Sequence, residues 1–134
     1  MPHQKKIAVI GLGYVGLPLA IEFAKHFAVA GFDIKEKRIQ ELKAGIDTTQ
    51  EADIKELQTV CAEAENRTAQ KGLFFTNVLD DIQAANIFIV TVPTPIDRYN
   101  APDLQPLLTA TEMIGRLLKP ICTEIAPMTP KSLW

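Results

Sequence analysis

The feature that most restricts this chain lies between Ile7 and Asp33: an apolar run, a glycine turn, an apolar helix-like stretch, a second apolar run and then a single carboxylate. Ile7-Ala8-Val9-Ile10 reads as a parallel strand buried on both faces, spanning residues 6–10. It leads into Gly11-Leu12-Gly13-Tyr14-Val15-Gly16, a Gly-x-Gly-x-x-Gly turn. In such a turn the first glycine allows the tight bend, the second lets a pyrophosphate approach the backbone, and the third lets the next helix pack closely on the strand. That helix is expected from about Tyr14 to Lys25, with Val15, Leu19, Ala20 and Phe23 on one face. Pro18 falls in its first turns, where a missing N–H costs little. The amides from about Leu12 to Val15, at the positive end of the helix dipole, suit an anion.

Phe27 to Phe32 reads as the second strand, and Asp33 closes it about 20 residues beyond the glycine turn, where a carboxylate can accept both ribose hydroxyls of an adenosine. It would repel a 2′-phosphate there, so NAD is favoured over NADP. The turn alone is a weak signal; strand before, helix after and acid at the second strand make it a dinucleotide site. The plain alternative is that Asp33 only caps the helix after it, and it can do both. That helix, Lys35 to Leu42, turns Ile39 and Leu42 inward and stops at Gly45. Arg38 lies within it and can lean over the adenine or its ribose, or it is a solvated surface arginine; spacing does not choose between these. Residues 47–50 form a polar connection. Ala52 to Ala69 forms a further helix with Ile54, Leu57, Val60 and Ala64 on one face and Cys61 as a packing residue.

Leu73 to Thr76 is a third strand, followed by a short helical turn, Leu79 to Ala84, capped by Thr76 or Asn77. Asn86 to Val92 is a fourth strand, apolar throughout and so expected in the middle of the sheet. It ends in Pro93-Thr94-Pro95. Ligands of open α/β sheets bind beyond the carboxyl ends of strands, which puts Pro93 and the Thr94 hydroxyl beside the cofactor; the bland reading is a proline-rich loop closing the strand. A polar loop, Ile96 to Pro102, leads to Asp103, which can cap a helix from about Leu104 to Leu118 with Leu107, Leu108, Thr111, Ile114 and Leu118 as its packing stripe. The expected fold is α/β, a Rossmann-like doubly wound parallel sheet truncated after about four strands. Residues 1–120 form the NAD-binding domain, and 121–134, without periodicity, form an irregular tail.

Composition removes several classes of function. The chain has 134 residues, enough for one cored domain, and a formal net charge of −2 that gives no case for nucleic acid or an anionic membrane. No apolar run approaches the ~20 residues of a membrane span. Residues 1–6 lead straight into a strand, so no signal peptide is expected, and the cytoplasm is the default compartment. Cys61 and Cys122 have no CxxC spacing and suggest neither zinc nor a disulfide framework.

Together, Ile7 to Pro18, Gly31-Phe32-Asp33-Ile34 and Thr91-Val92-Pro93-Thr94-Pro95 resemble the N-terminal domain of the UDP-glucose/GDP-mannose 6-dehydrogenase family. Ile96-Asp97 and Pro102-Asp103-Leu104 are similar to its UDP-N-acetylhexosamine branch, which serves polysaccharide biosynthesis. The resemblance covers about residues 6–120. It implies an oxidoreductase family that converts the sugar C6 alcohol to a carboxylate in two NAD-dependent steps, the second through a thioester on a catalytic cysteine. It also implies that Tyr14 and Val15 meet the pyrophosphate, Asp33 the ribose, Arg38 the adenosine and Thr94 the cofactor. After Lys119-Pro120 the family continues with a fifth strand ending in Glu-Ser-Thr, then a central helical region and a UDP-sugar-binding domain. None of these is found here, and neither cysteine matches the nucleophile. A deletion or frame disruption near residue 120 would account for this. The expectation is a cofactor-binding portion inactive by itself, with UDP-sugar a partner only of the full-length enzyme and self-association through an exposed sheet edge. The alternative is a stand-alone NAD-binding or interaction module. A different Rossmann ligand such as S-adenosylmethionine is disfavoured by the proline loop.

Overall fold

The computed structural model describes residues 5–48, 50, 52–65 and 70–118. Four parallel strands, β1 (Lys6–Ile10), β2 (Ala28–Phe32), β3 (Gly72–Thr76) and β4 (Ile87–Val90), lie in the order β3-β2-β1-β4. Among the described residues four helices accompany them: α1 (Gly16–Ala24), α2 (Glu36–Lys43), α3 (Ile54–Glu65) and α4 (Gln105–Leu117). A 3-10 turn spans Leu79–Ile82. Every strand expected from the sequence is present, and the fold is the doubly wound α/β class. The irregular tail at 121–134, and Cys122 with it, lie outside the described residues.

Apolar side chains cover both faces of the sheet, which is why its central strands read as unbroken apolar runs. On one face Ile7, Val9 and Val29 pack with Leu17, Ala20, Ile21 and Ala24 of α1, Ile39 and Leu42 of α2, and Leu57 and Val60 of α3. On the other, Ala8, Ile10, Ala30 and Phe32 meet Ile82 and Ala110, with Met113, Ile114 and Leu117 half-buried against them. The glycine turn takes more residues than periodicity allowed, so α1 begins at Gly16 and Val15 is exposed instead of joining the buried face.

Two further expectations need correction. β4 is not central: among the described residues it pairs only with β1, and its side chains are half-buried or exposed. The packing stripe of α4 is also rotated. Ala110 is buried and Met113, Ile114 and Leu117 face the sheet, whereas Leu107, Leu108, Thr111 and Leu118 are exposed.

Candidate functional site

The carboxyl ends of the four strands meet at one edge of the sheet. Parallel pairing is prolonged past the strand ends by Gly11 N–H to Phe32 C=O (2.8 Å), Thr91 N–H to Ile10 C=O (2.8 Å) and Asp33 N–H to Thr76 C=O (3.2 Å). These bonds bring the glycine turn, Asp33 and the segment after β4 together.

The three glycines of the turn stand in different surroundings. Gly11 has φ +100°, and a Cβ there would lie 2.9 Å from the Thr91 carbonyl oxygen. At Gly16 a Cβ would fall 1.8 Å from the Gly11 carbonyl oxygen and 2.4 Å from Thr91 Oγ1. The protein's own packing therefore demands glycine at both positions. Gly13 differs: a Cβ there would meet nothing within 4 Å, and its φ is not in the left-handed region. Nothing internal requires a glycine at 13. A cradle that a side chain would fill is what close approach of a pyrophosphate needs, so the turn fits a dinucleotide.

The entrance to α1 is open. No side chain caps it, no acidic residue lies in its first turn, and Tyr14 and Val15 are 68% and 67% exposed. Asp33 is half-buried beside it: Oδ2 accepts the Leu12 N–H at 3.1 Å, and Oδ1 accepts the Lys35 N–H at 2.9 Å. Asp33 thus fixes the turn and the entry to α2 at once, while its carboxylate stays at the strand end.

Arg38 is no solvated surface arginine. Its side chain is 10% exposed; Nε donates to the Leu12 carbonyl at 2.8 Å, and Nη1 forms an ion pair with the fully buried Asp47 carboxylate at 3.0 Å. The guanidinium nitrogens Nη1 and Nη2 are buried and make no well-aligned hydrogen bond among the described residues, so the ion pair with Asp47 is their main partnership. Pro93 and Thr94 are exposed at the carboxyl end of β4. The loop beyond them is more ordered than its polar composition suggested. An isolated antiparallel bridge joins Ile96 to Pro102, Asp97 Oδ1 accepts the N–H groups of Tyr99 and Ala101, and Asp103 N–H returns to the Pro95 carbonyl.

Two residues that the sequence reading passed over belong to this site. Thr91 Oγ1 donates to the Gly11 carbonyl at 2.7 Å, tying the glycine turn to β4; a lone hydroxyl at the end of an apolar strand was the available signal. Asp47 stood only as part of a polar connection, yet it is buried. Cys61 is half-buried in α3, and burial pushes its thiol above the ordinary value, as suits a packing residue and not a nucleophile. Among the described residues no His, Cys, Asp and Glu cluster could hold a metal, and no helix is long and apolar enough to cross a membrane.

A glycine cradle at the mouth of an uncapped helix, with an acid at the end of the adjoining parallel strand, defines a dinucleotide-binding domain. More particularly, the chain belongs to the UDP-glucose/GDP-mannose dehydrogenase family, whose NAD-binding domain matches residues 5–126. It is 55% identical over 114 residues to the UDP-N-acetyl-D-glucosamine 6-dehydrogenase of Pseudomonas aeruginosa, covering 85% of this chain and 25% of that protein. It is 48% identical over 115 residues to the enzyme of the same name from Salmonella typhi, covering 86% and 25%. The structure of a UDP-D-ManNAc dehydrogenase from Pyrococcus horikoshii superposes with a TM-score of 0.75 at 33% identity, over 84% of this chain and 26% of that one. The chain therefore spans about a quarter of the length of these relatives.

Proposed function

We propose that this chain is the cofactor cradle of a UDP-N-acetylhexosamine 6-dehydrogenase, and that alone it binds NAD without oxidising sugar. The observation that carries this reading is Gly13, the one glycine of the turn that the protein's own packing does not require. In this reading the backbone at Gly11, Gly13 and Gly16 lets the pyrophosphate settle at the α1 N-terminus, flanked by Tyr14 and Val15. Asp33 receives the adenosine ribose, and its negative charge disfavours a 2′-phosphate. Arg38, anchored on the Leu12 carbonyl, stands on the adenosine side. Pro93 and Thr94 line the far side of the cofactor at the end of β4. When bound, NAD supplies the hydride acceptor for the C6 oxidation. The groups that hold the sugar and carry its acyl intermediate are, in this reading, supplied by other parts of the full-length enzyme.

The same reading places the protein in the cytoplasm and gives it a tendency to self-associate. Leu107 and Leu108 of α4 and Leu118 just past its end are exposed, as is Ile87 of β4, which pairs with one strand only among the described residues. Open strand edges and grouped apolar side chains favour association.

Calorimetric titration with NAD, run beside an assay of NADH formation from UDP-N-acetylglucosamine, tests the reading. Saturable NAD binding with no NADH formed is expected. Absence of binding contradicts the cradle, and NADH formation by this chain alone contradicts its dependence on further parts.

A further inference from the structure

One residue of the glycine turn is held on both sides by charged groups. The Leu12 N–H is taken by Asp33 at 3.1 Å, and the Leu12 carbonyl is taken by Arg38 Nε at 2.8 Å. Behind Arg38 stands Asp47, whose side chain has no solvent exposure and whose Oδ1 lies 3.0 Å from Nη1. Asp47 Oδ2 accepts the Ala52 N–H at 3.0 Å, so the segment leading into α3 also fixes this carboxylate. Glu41 of α2 is the other acid facing Arg38, at 3.8 Å from Nη1.

Burying a carboxylate is costly unless it is paired, and apolar residues often replace buried ion pairs without loss. A buried charge at 47 is therefore not explained by packing alone. Its placement has a definite consequence for the turn. In a trans peptide the carbonyl and the following N–H point to opposite sides. Holding the Leu12 carbonyl on Arg38 thus sets the direction of the Gly13 N–H, at the one glycine of the turn with open space around it. Arg38 has several rotatable bonds, and an anionic partner behind it selects the rotamer that reaches Leu12.

We propose that Asp47 is a positioning residue of the dinucleotide site: it holds Arg38 against the Leu12 carbonyl and thereby presets the Leu12–Gly13 peptide for the pyrophosphate. This rests on the NAD reading above. Asp47 touches no cofactor in this account and acts only through Arg38.

A double-mutant cycle on the full 134-residue chain tests it, with NAD affinity measured by calorimetry well below each variant's melting temperature. Asp47→Asn is expected to weaken NAD binding about tenfold, and to add little once Arg38→Gln is present. Unchanged affinity in folded Asp47→Asn, or losses that simply add in the double variant, overturns the proposal. Should Asp47→Asn fail to fold, Asp47→Glu keeps the charge and displaces it; weaker NAD binding is expected there, and wild-type affinity overturns the proposal. If the wild-type chain binds no NAD, the cofactor reading has failed and the brace is read from the ligand-free protein instead. Asp47→Asn and Arg38→Gln should then shift the Gly13 amide resonance alike, and a Gly13 resonance unmoved by Asp47→Asn overturns the proposal.

Discussion

Thr91 and Gly11, eighty residues apart, are joined by a hydrogen bond of 2.7 Å from the threonine hydroxyl to the glycine carbonyl. The same hydroxyl lies 3.2 Å from the Ile10 carbonyl. It therefore locks the bend of the turn to the end of β4, in the space a side chain at Gly16 would need. Thr91→Val keeps the shape but removes the donor. It should cost about 1–2 kcal/mol in denaturant unfolding, because the Gly11 carbonyl loses a partner in a half-buried site.

The glycines separate fold from function. Gly16→Ala forces the Gly11 carbonyl and Thr91 apart and should destabilise the chain by about 3 kcal/mol or more. Gly13→Ala meets no atom of the protein and should leave stability within about 0.5 kcal/mol. Its NAD affinity should nonetheless fall at least tenfold (about 1.4 kcal/mol), since the added methyl occupies the approach to the backbone. Chemical denaturation and calorimetry on the two variants check this, and a Gly13→Ala chain that binds NAD normally would remove the main support for the cradle.

Asp33 has two tasks, and substitution should reveal both. Asp33→Ala frees the Leu12 and Lys35 N–H groups and removes the ribose acceptor. Hydrogen bonds to a charged group contribute about 1.5–3 kcal/mol, so NAD affinity should drop roughly ten- to a hundredfold. NADP should lose less than NAD, or gain, because the repulsion of its 2′-phosphate goes with the carboxylate. Equal losses for the two cofactors would show that Asp33 acts only on the turn.

Cys61 gives a pH prediction. Burial, with a smaller contribution from Glu65, raises its thiol above the ordinary 9.0. Folded and unfolded forms are both protonated at neutral pH, so Cys61 gives stability no slope there. Above about 9 the unfolded chain loses the proton first, and stability should fall as pH rises toward the folded value. Cys61→Ala should flatten that limb of the urea-unfolding profile between pH 8 and about 10. At pH 7 the folded thiol should react slowly with alkylating agents and speed up in denaturant.

Replacing the exposed Leu108, which is 55% exposed on α4, with glutamate should reduce self-association in sedimentation experiments without changing NAD affinity. A wild-type chain that stays monomeric at high concentration would contradict the association reading.

The sheet was legible because buried parallel strands leave unbroken apolar runs, and β1, β2 and β3 fall within a residue of where those runs put them. The glycine turn was legible because its chemistry is local. α4 was not. Of the expected stripe Leu107, Leu108, Thr111, Ile114 and Leu118 only Ile114 packs on the sheet, joined there by Ala110, Met113 and Leu117, because apolar residues lie on more than one face of this helix and periodicity does not choose between them. The Arg38–Asp47 pair was hidden for another reason. Its members lie on different segments, and only folding shows that a residue of a polar connection is buried behind a helix.

The most direct measurement is an NAD titration followed through the backbone amide resonances of the labelled chain. Saturable shifts are expected at Gly11 to Gly16, at Asp33 to Lys35 and at Thr91 to Thr94, with the largest change at Gly13. Absence of shifts at millimolar NAD, or shifts confined to the groove between α1 and α3 lined by Lys25, Lys55 and Lys71, would contradict it.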